Sequence, residues 1–171
     1  MPRARAFTLI ELLVVLIILG VLAAVALPRF IDTRDRALLA KLHGMRGSLV
    51  TAVELVHAQA QLQGLTDGVA TISVAGANIR LHSGYPQAHW NRAVRYLIRL
   101  DTIAWTPGGT VCEAPWCGRG FQRSVAGAPA VAGRGSKVWP EGYEWTDRCG
   151  VYYINNEDGT APLFGVLTAD C

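Results

Sequence analysis

Sixteen consecutive uncharged residues, Leu12 to Leu27, follow a lone glutamate, Glu11, and two arginines, Arg3 and Arg5. This arrangement constrains the chain more than any other feature. The stretch from Phe7 to Leu27 would be about 31 Å long as a helix rising 1.5 Å per residue. That is the thickness of a bilayer hydrocarbon core, about 30 Å. Arg3 and Arg5 place the N-terminus in the cytoplasm by the positive-inside rule, so everything after Pro28 is expected to be exported. Ala24-Val25-Ala26 offers a secretory cleavage site. Against it stands Glu11, because a charge inside an inserted helix is costly and a disposable signal gains nothing from it.

The 171 residues suffice for one domain with a core, and hydrophobic content of 51% against 17% charged residues excludes general disorder. The formal charge of +3 invites a nucleic-acid reading. Without Arg3 and Arg5, however, 14 basic residues face 13 acidic ones, so nucleic acid as a partner is possible but unsupported. Cys112, Cys117, Cys149 and Cys171 all lie in the C-terminal third, and an even count beyond a membrane segment suggests disulfides in an oxidising compartment.

The order Ala6-Phe7-Thr8-Leu9-Ile10-Glu11-Leu12, an unbroken apolar run, and then Leu27-Pro28 resembles the class III signal of type IV prepilins. The resemblance implies a cut between Ala6 and Phe7 by a membrane peptidase, with N-methylation of Phe7. The family has Gly where this chain has Ala6. It also implies that Glu11 serves subunit docking, by meeting the terminal ammonium of a neighbouring copy. At about 4 Å and an effective dielectric near 20 that attraction is on the order of 4 kcal/mol before desolvation is subtracted. Its larger contribution is register, since a misplaced subunit leaves a buried charge unpaired. Gly20 and Pro28 weaken the helix between them, and the resemblance implies that this stretch melts in a filament.

A second periodic stretch runs from about Asp32 to Gln63, with Leu38, Leu42, Met45, Leu49, Val53, Val56 and Ala60 on one stripe and Gly64 as a stop. His43 and His57 lie fourteen apart and read as surface residues, without a metal-ligand cluster. Val69–Val74 and Asn78–Leu81 read as a hairpin, followed by a turn at Gly84-Tyr85-Pro86. Gln87 to Leu100 reads as a short helix with Trp90, Val94, Leu97 and Ile98 inward and Arg92, Arg95 and Arg99 outward. Thr106 to Pro140 is rich in Gly and Pro and reads as irregular loop. Gly150–Ile154 and Leu163–Leu167 read as strands flanking a polar turn at Asn155-Asn156-Glu157-Asp158-Gly159, which lacks the spacing of a calcium loop. Four cysteines allow three pairings, of which Cys112–Cys117, closing a small loop, and Cys149–Cys171, closing the last hairpin, are expected. No phosphate loop, zinc-protease or nucleophile-elbow motif occurs, so no enzyme, metal or cofactor is expected.

Leu27-Pro28-Arg29-Phe30-Ile31-Asp32, Glu54-Leu55-Val56-His57-Ala58 and Gly84-Tyr85-Pro86-Gln87-Ala88 resemble the mannose-sensitive haemagglutinin (MSHA) branch of type IV pilins. The expected fold is α+β: a long N-terminal helix, transmembrane in its first half and amphipathic in its second, packed on an antiparallel sheet with a disulfide-bonded end. The expected organisation is a leader, 1–6, a hydrophobic helix, 7–31, and an exported head, 32–171. The resemblance implies a subunit polymerising into a surface filament for adhesion, aggregation or motility. Implied partners are further pilin subunits, the prepilin peptidase, membrane lipid before assembly, and an inner-membrane platform with cytoplasmic ATPases. The implied location is the bacterial inner membrane first and the cell surface after assembly. Alternatives are a type II secretion pseudopilin, a minor pilin with a DNA- or surface-binding role, and a membrane-anchored domain that forms no filament.

Overall fold

The computed structural model describes residues 8–100 and 102–171, with side chains at all of these except 25–32. It contains two compact units, Met1–Leu39 and Ala40–Cys171. Helix α1, Leu9–Leu62, is shared by both. In the second unit its stripe is buried: Leu42, Met45, Leu49, Val53, Val56 and Ala60 are each at most 7% exposed. These positions recur at three- and four-residue intervals, which places them on one face of the helix. Gly64 ends the helix in the left-handed region, φ +67°, where a residue without Cβ is at ease.

Two sheets complete this unit. Strands β1, Val69–Val74, and β2, Ala77–His82, form the expected hairpin. Its two turn residues, Ala75 and Gly76, both have positive φ (49° and 81°), the backbone twist that suits a two-residue hairpin loop. Tyr85-Pro86, expected as a turn, is a short third strand, β3, beside β2.

The segment Gln87–Leu100 is not one helix. A 3-10 turn, Trp90–Arg92, and a four-residue helix α2, Val94–Leu97, are separated by Ala93 at φ −150° and ψ −66°, which no helix continues through. The inward residues are nonetheless as expected, with Trp90, Val94, Leu97 and Ile98 all buried.

The five-stranded sheet runs β4 (Ile103–Trp105), β5 (Trp116–Gln122), β6 (Arg134–Pro140), β7 (Cys149–Asn155) and β8 (Leu163–Thr168) in that spatial order. Neighbours are antiparallel except β4 and β5, which are parallel. The expectation of irregular loop from Thr106 to Pro140 is thus overturned, since β5 and β6 are central strands. The glycines that suggested loop are places of close approach instead. A Cβ on Gly118 would fall within 2.0 Å of the Trp90 ring, and one on Gly133 within 2.0 Å of the Asn155 carbonyl.

Candidate functional site

The first described residues form a reciprocal cap. Thr8 precedes the helix, and its backbone N–H and hydroxyl both donate to Glu11 Oε2, at 3.0 and 2.9 Å. The Glu11 N–H donates back to the Thr8 hydroxyl at 3.3 Å. This is the capping box, in which a Thr and a Glu three residues on satisfy helix-end donors that have no intrahelical partner. The Thr-x-x-Glu spacing before an apolar run is the sequence signal that marks it.

Beyond the cap, α1 presents apolar surface around its whole circumference. Leu9, Ile10, Leu12, Leu13, Leu16 and Ile17 are between 53% and 86% exposed, and the pattern continues to Leu22. Removing such a surface from water is worth on the order of 10 kcal/mol or more. Among the described residues no helix is long and apolar enough to cross a membrane, and the described apolar part, Leu9–Ala24, is about 24 Å long. Gly20 lies within α1 with open space around it. Pro28 falls inside the helix, but its side chain, like Ala6 and Phe7, lies outside the described residues.

In the second unit the structure brings Cys112 together with Cys117, and Cys149 with Cys171, at Cα separations of 5.8 and 5.0 Å. The first bridge packs on the fully buried Trp139, whose indole N–H donates to the Tyr143 carbonyl. The second joins the start of β7 to the C-terminus. Beside it Arg148 forks onto Asp170, with its guanidinium 2.7 Å from one carboxylate oxygen and 3.1 Å from the other. The Arg148 side chain and N–H hold the Asp170 carboxyl down to about 2.

Lys137 is a residue that sequence reading missed. It is wholly buried in β6, and its ammonium donates to the carbonyls of Glu144, Trp145 and Asp147, all in the segment between β6 and β7. Burial draws its pKa down to about 8, against the pull of Asp147 and Asp170. No motif marks such a position.

His57 is not the simple surface residue expected. Its ring stacks on Tyr85, with centroids 3.8 Å apart, and Nδ1 donates to the Gly84 carbonyl at 2.9 Å. The amide of Gln61 lies 3.0 Å from Nε2. Tyr153 and Asn155, both buried in β7, donate to the Pro86 carbonyl and fasten the small sheet to the large one. Asn155 therefore belongs to the core, whereas Asp158 is an ordinary turn acid, held low by the Thr160 hydroxyl and N–H. His43, Glu54, Arg92, Arg95 and Arg99 are exposed. Among the described residues no cluster of three or more metal-ligating side chains occurs.

Residues 1–27 match the family described as the prokaryotic N-terminal methylation motif. The chain is 41% identical over 59 residues to the type IV narrow pilus major component PilA5 of Thermus thermophilus, covering 34% of this chain and 51% of that one. It is 43% identical over 56 residues to the fimbrial protein EcpB of Eikenella corrodens, covering 33% and 35%. It is 56% identical over 36 residues to the type IV major pilin protein PilA of Myxococcus xanthus, covering 21% and 16%. The chain thus spans about half or less of the length of these relatives. No solved structure matches it. The chain thus carries the N-terminal methylation motif on an α+β, disulfide-bonded architecture, and over about its first third it is similar to pilins and fimbrial proteins.

Proposed function

We propose that this chain is the structural subunit of a type IV pilus-like surface filament, used for adhesion, aggregation or motility. The observation that carries the reading is the capped helix whose apolar surface, from Leu9 to Leu22, is exposed on every side. A single copy cannot satisfy such a surface in water. Lipid before assembly and the helices of neighbouring copies afterwards are two environments that can. The named relatives are pilus and fimbrial proteins, which supports the same conclusion.

In this reading the prepilin peptidase cuts between Ala6 and Phe7, Phe7 is N-methylated, and an inner-membrane platform with its ATPases drives assembly. Glu11 is the docking acid. Both donors from Thr8 use Oε2, and a carboxylate accepts more bonds than these, so capping and pairing with a neighbour's ammonium are compatible. Gly20 and Pro28 are the places where α1 loosens in the filament. The short matches around Leu27–Asp32, Glu54–Ala58 and Gly84–Ala88 support an MSHA-like subtype.

Mass spectrometry of the mature N-terminus tests the processing step: N-methyl-Phe7 is expected, and a chain starting at Leu27 would sink the reading. Assembly is tested with Glu11→Val, which keeps the helix apolar but removes the charge. Expected is normal membrane accumulation with little or no sheared filament. Filaments at wild-type yield would remove Glu11 from docking.

A further inference from the structure

Strand β5 departs from regular pairing with β6 between Arg119 and Gln122. Phe121 sits in this irregularity at φ +62°, the left-handed region that a bulky residue rarely enters. Its backbone N–H is held by the Ala88 carbonyl, and Gly120 lies so close beneath that a Cβ there would be 2.5 Å from the same oxygen. Trp90, seated on Gly118, fixes the other side of this crossing. The result is a ring 43% exposed, raised from the sheet by a backbone conformation that costs on the order of 1 kcal/mol or more. Such irregularities re-aim side chains, and strain of this kind is retained where the surroundings enforce it.

Two basic side chains flank that ring. Arg134 places its guanidinium carbon 4.9 Å from the Phe121 centroid, and the His89 ring lies 5.2 Å away, tilted by 41°. Burial, and then the nearby charges of Arg92 and Arg80, hold the His89 pKa down against the pull of its own carbonyl. Among the described residues none of the three arginines has a carboxylate within ion-pair distance, Arg148–Asp170 being the pair found there. Two nitrogens, Arg80 Nε and His89 Nδ1, are buried without a hydrogen-bond partner among the described residues. Buried polar atoms are paired in the great majority of cases, and an orphaned guanidinium donor is costly unless an acceptor arrives.

We propose that His89 and Arg134, beside Phe121, form with Arg80 and Arg92 a binding site for an oxyanion, a carboxylate or phosphate group. The guanidinium fork matches the two oxygens of such a group, and the edge of an aromatic ring, the positive part of its quadrupole, also favours an anion. The oxyanion has two possible sources: a free ion, or the Asp or Glu side chain of a second copy of this chain. The chemistry at the site is the same for both.

The test uses the full mature chain in detergent micelles with 15N-labelled histidine, the His89 signals being assigned through His89→Gln. Inorganic phosphate is titrated against sodium chloride at matched ionic strength, and in a parallel arm the phosphate-free chain is diluted a hundredfold. A saturable movement of the His89 signals with phosphate, with His43 unmoved, assigns a free-ion site. The same movement with protein concentration assigns the second copy's carboxylate. In either case affinity falls about tenfold or more in Arg80→Gln and in Arg134→Gln, the loss of one charged hydrogen bond. Arg92→Gln, at an exposed position, carries the test if Arg80→Gln does not fold. No movement in either arm, or equal movement in wild type and variants, overturns the proposal.

Discussion

Lys137 shows how one side chain can organise a loop. An ammonium has three donors, and here all three are used by the carbonyls of Glu144, Trp145 and Asp147. Lys137→Met keeps most of the apolar stem but leaves three carbonyls without a donor. At about 1–3 kcal/mol for each unsatisfied buried group, the loss is expected to be about 3 kcal/mol or more by urea unfolding. A loss below about 1 kcal/mol would mean that water replaces the ammonium without penalty. Asp170 carries a different prediction, because its folded pKa is lowered from an ordinary 3.8 to about 2 by Arg148. The unfolded chain therefore binds the proton more readily, and the contribution is present above about pH 4 and lost as pH falls towards 2. Acid unfolding of Asp170→Asn should have a shallower slope than wild type across that window, and identical slopes would remove the assignment. Neither residue was legible in the sequence. A buried lysine and an exposed one look the same in a string of letters, and Asp170 became meaningful only once β7 and the C-terminus were side by side.

Legibility at the scale of elements followed periodicity. The buried face of α1 could be read because its apolar residues repeat at the helical interval from Leu38 to Ala60, and neither a strand nor a loop sustains that interval for so long. It makes a direct prediction. Leu49, 1% exposed, should cost about 2–5 kcal/mol when changed to Ala, whereas Leu55 on the same helix, 66% exposed, should cost no more than about 0.5 kcal/mol. Comparable losses at both sites, measured by thermal unfolding, would contradict the assigned face. Strands β5 and β6 were hidden for the opposite reason. Gly118, Gly120, Gly133 and Gly135 break the alternation that marks a strand, yet each lies against a ring, a carbonyl or a side chain from elsewhere in the fold. Glycine there answers to tertiary proximity, which local pattern does not contain. The segment after Gln87 is intermediate, since its inward residues were readable but the break at Ala93 was not.

For the molecule as a whole, the bridges act on chain segments of different length, and this separates their expected effects. Cys112–Cys117 spans five positions and Cys149–Cys171 spans twenty-two. By chain entropy alone the short bridge is worth about 2 kcal/mol and the long one about 3 kcal/mol. Surroundings reverse that order. Both Cys112 and Cys117 are 1% exposed and pack on Trp139, so their replacement also disturbs a buried cluster. At the other bridge Cys171 lies at the chain end, where the Arg148–Asp170 fork continues to hold the same two segments together. Cys112→Ala with Cys117→Ala should therefore lower Tm by at least as much as Cys149→Ala with Cys171→Ala. The second pair should lower Tm by about 6–12 °C, the equivalent of 3 kcal/mol in a chain of this size. Combining that second pair with Asp170→Asn should exceed the sum of the separate losses, since each constraint substitutes for the other in keeping the C-terminus on β7. Differential scanning calorimetry of the full chain in micelles measures all of these. Strict additivity of the bridge and the fork would show that they act on the C-terminus independently.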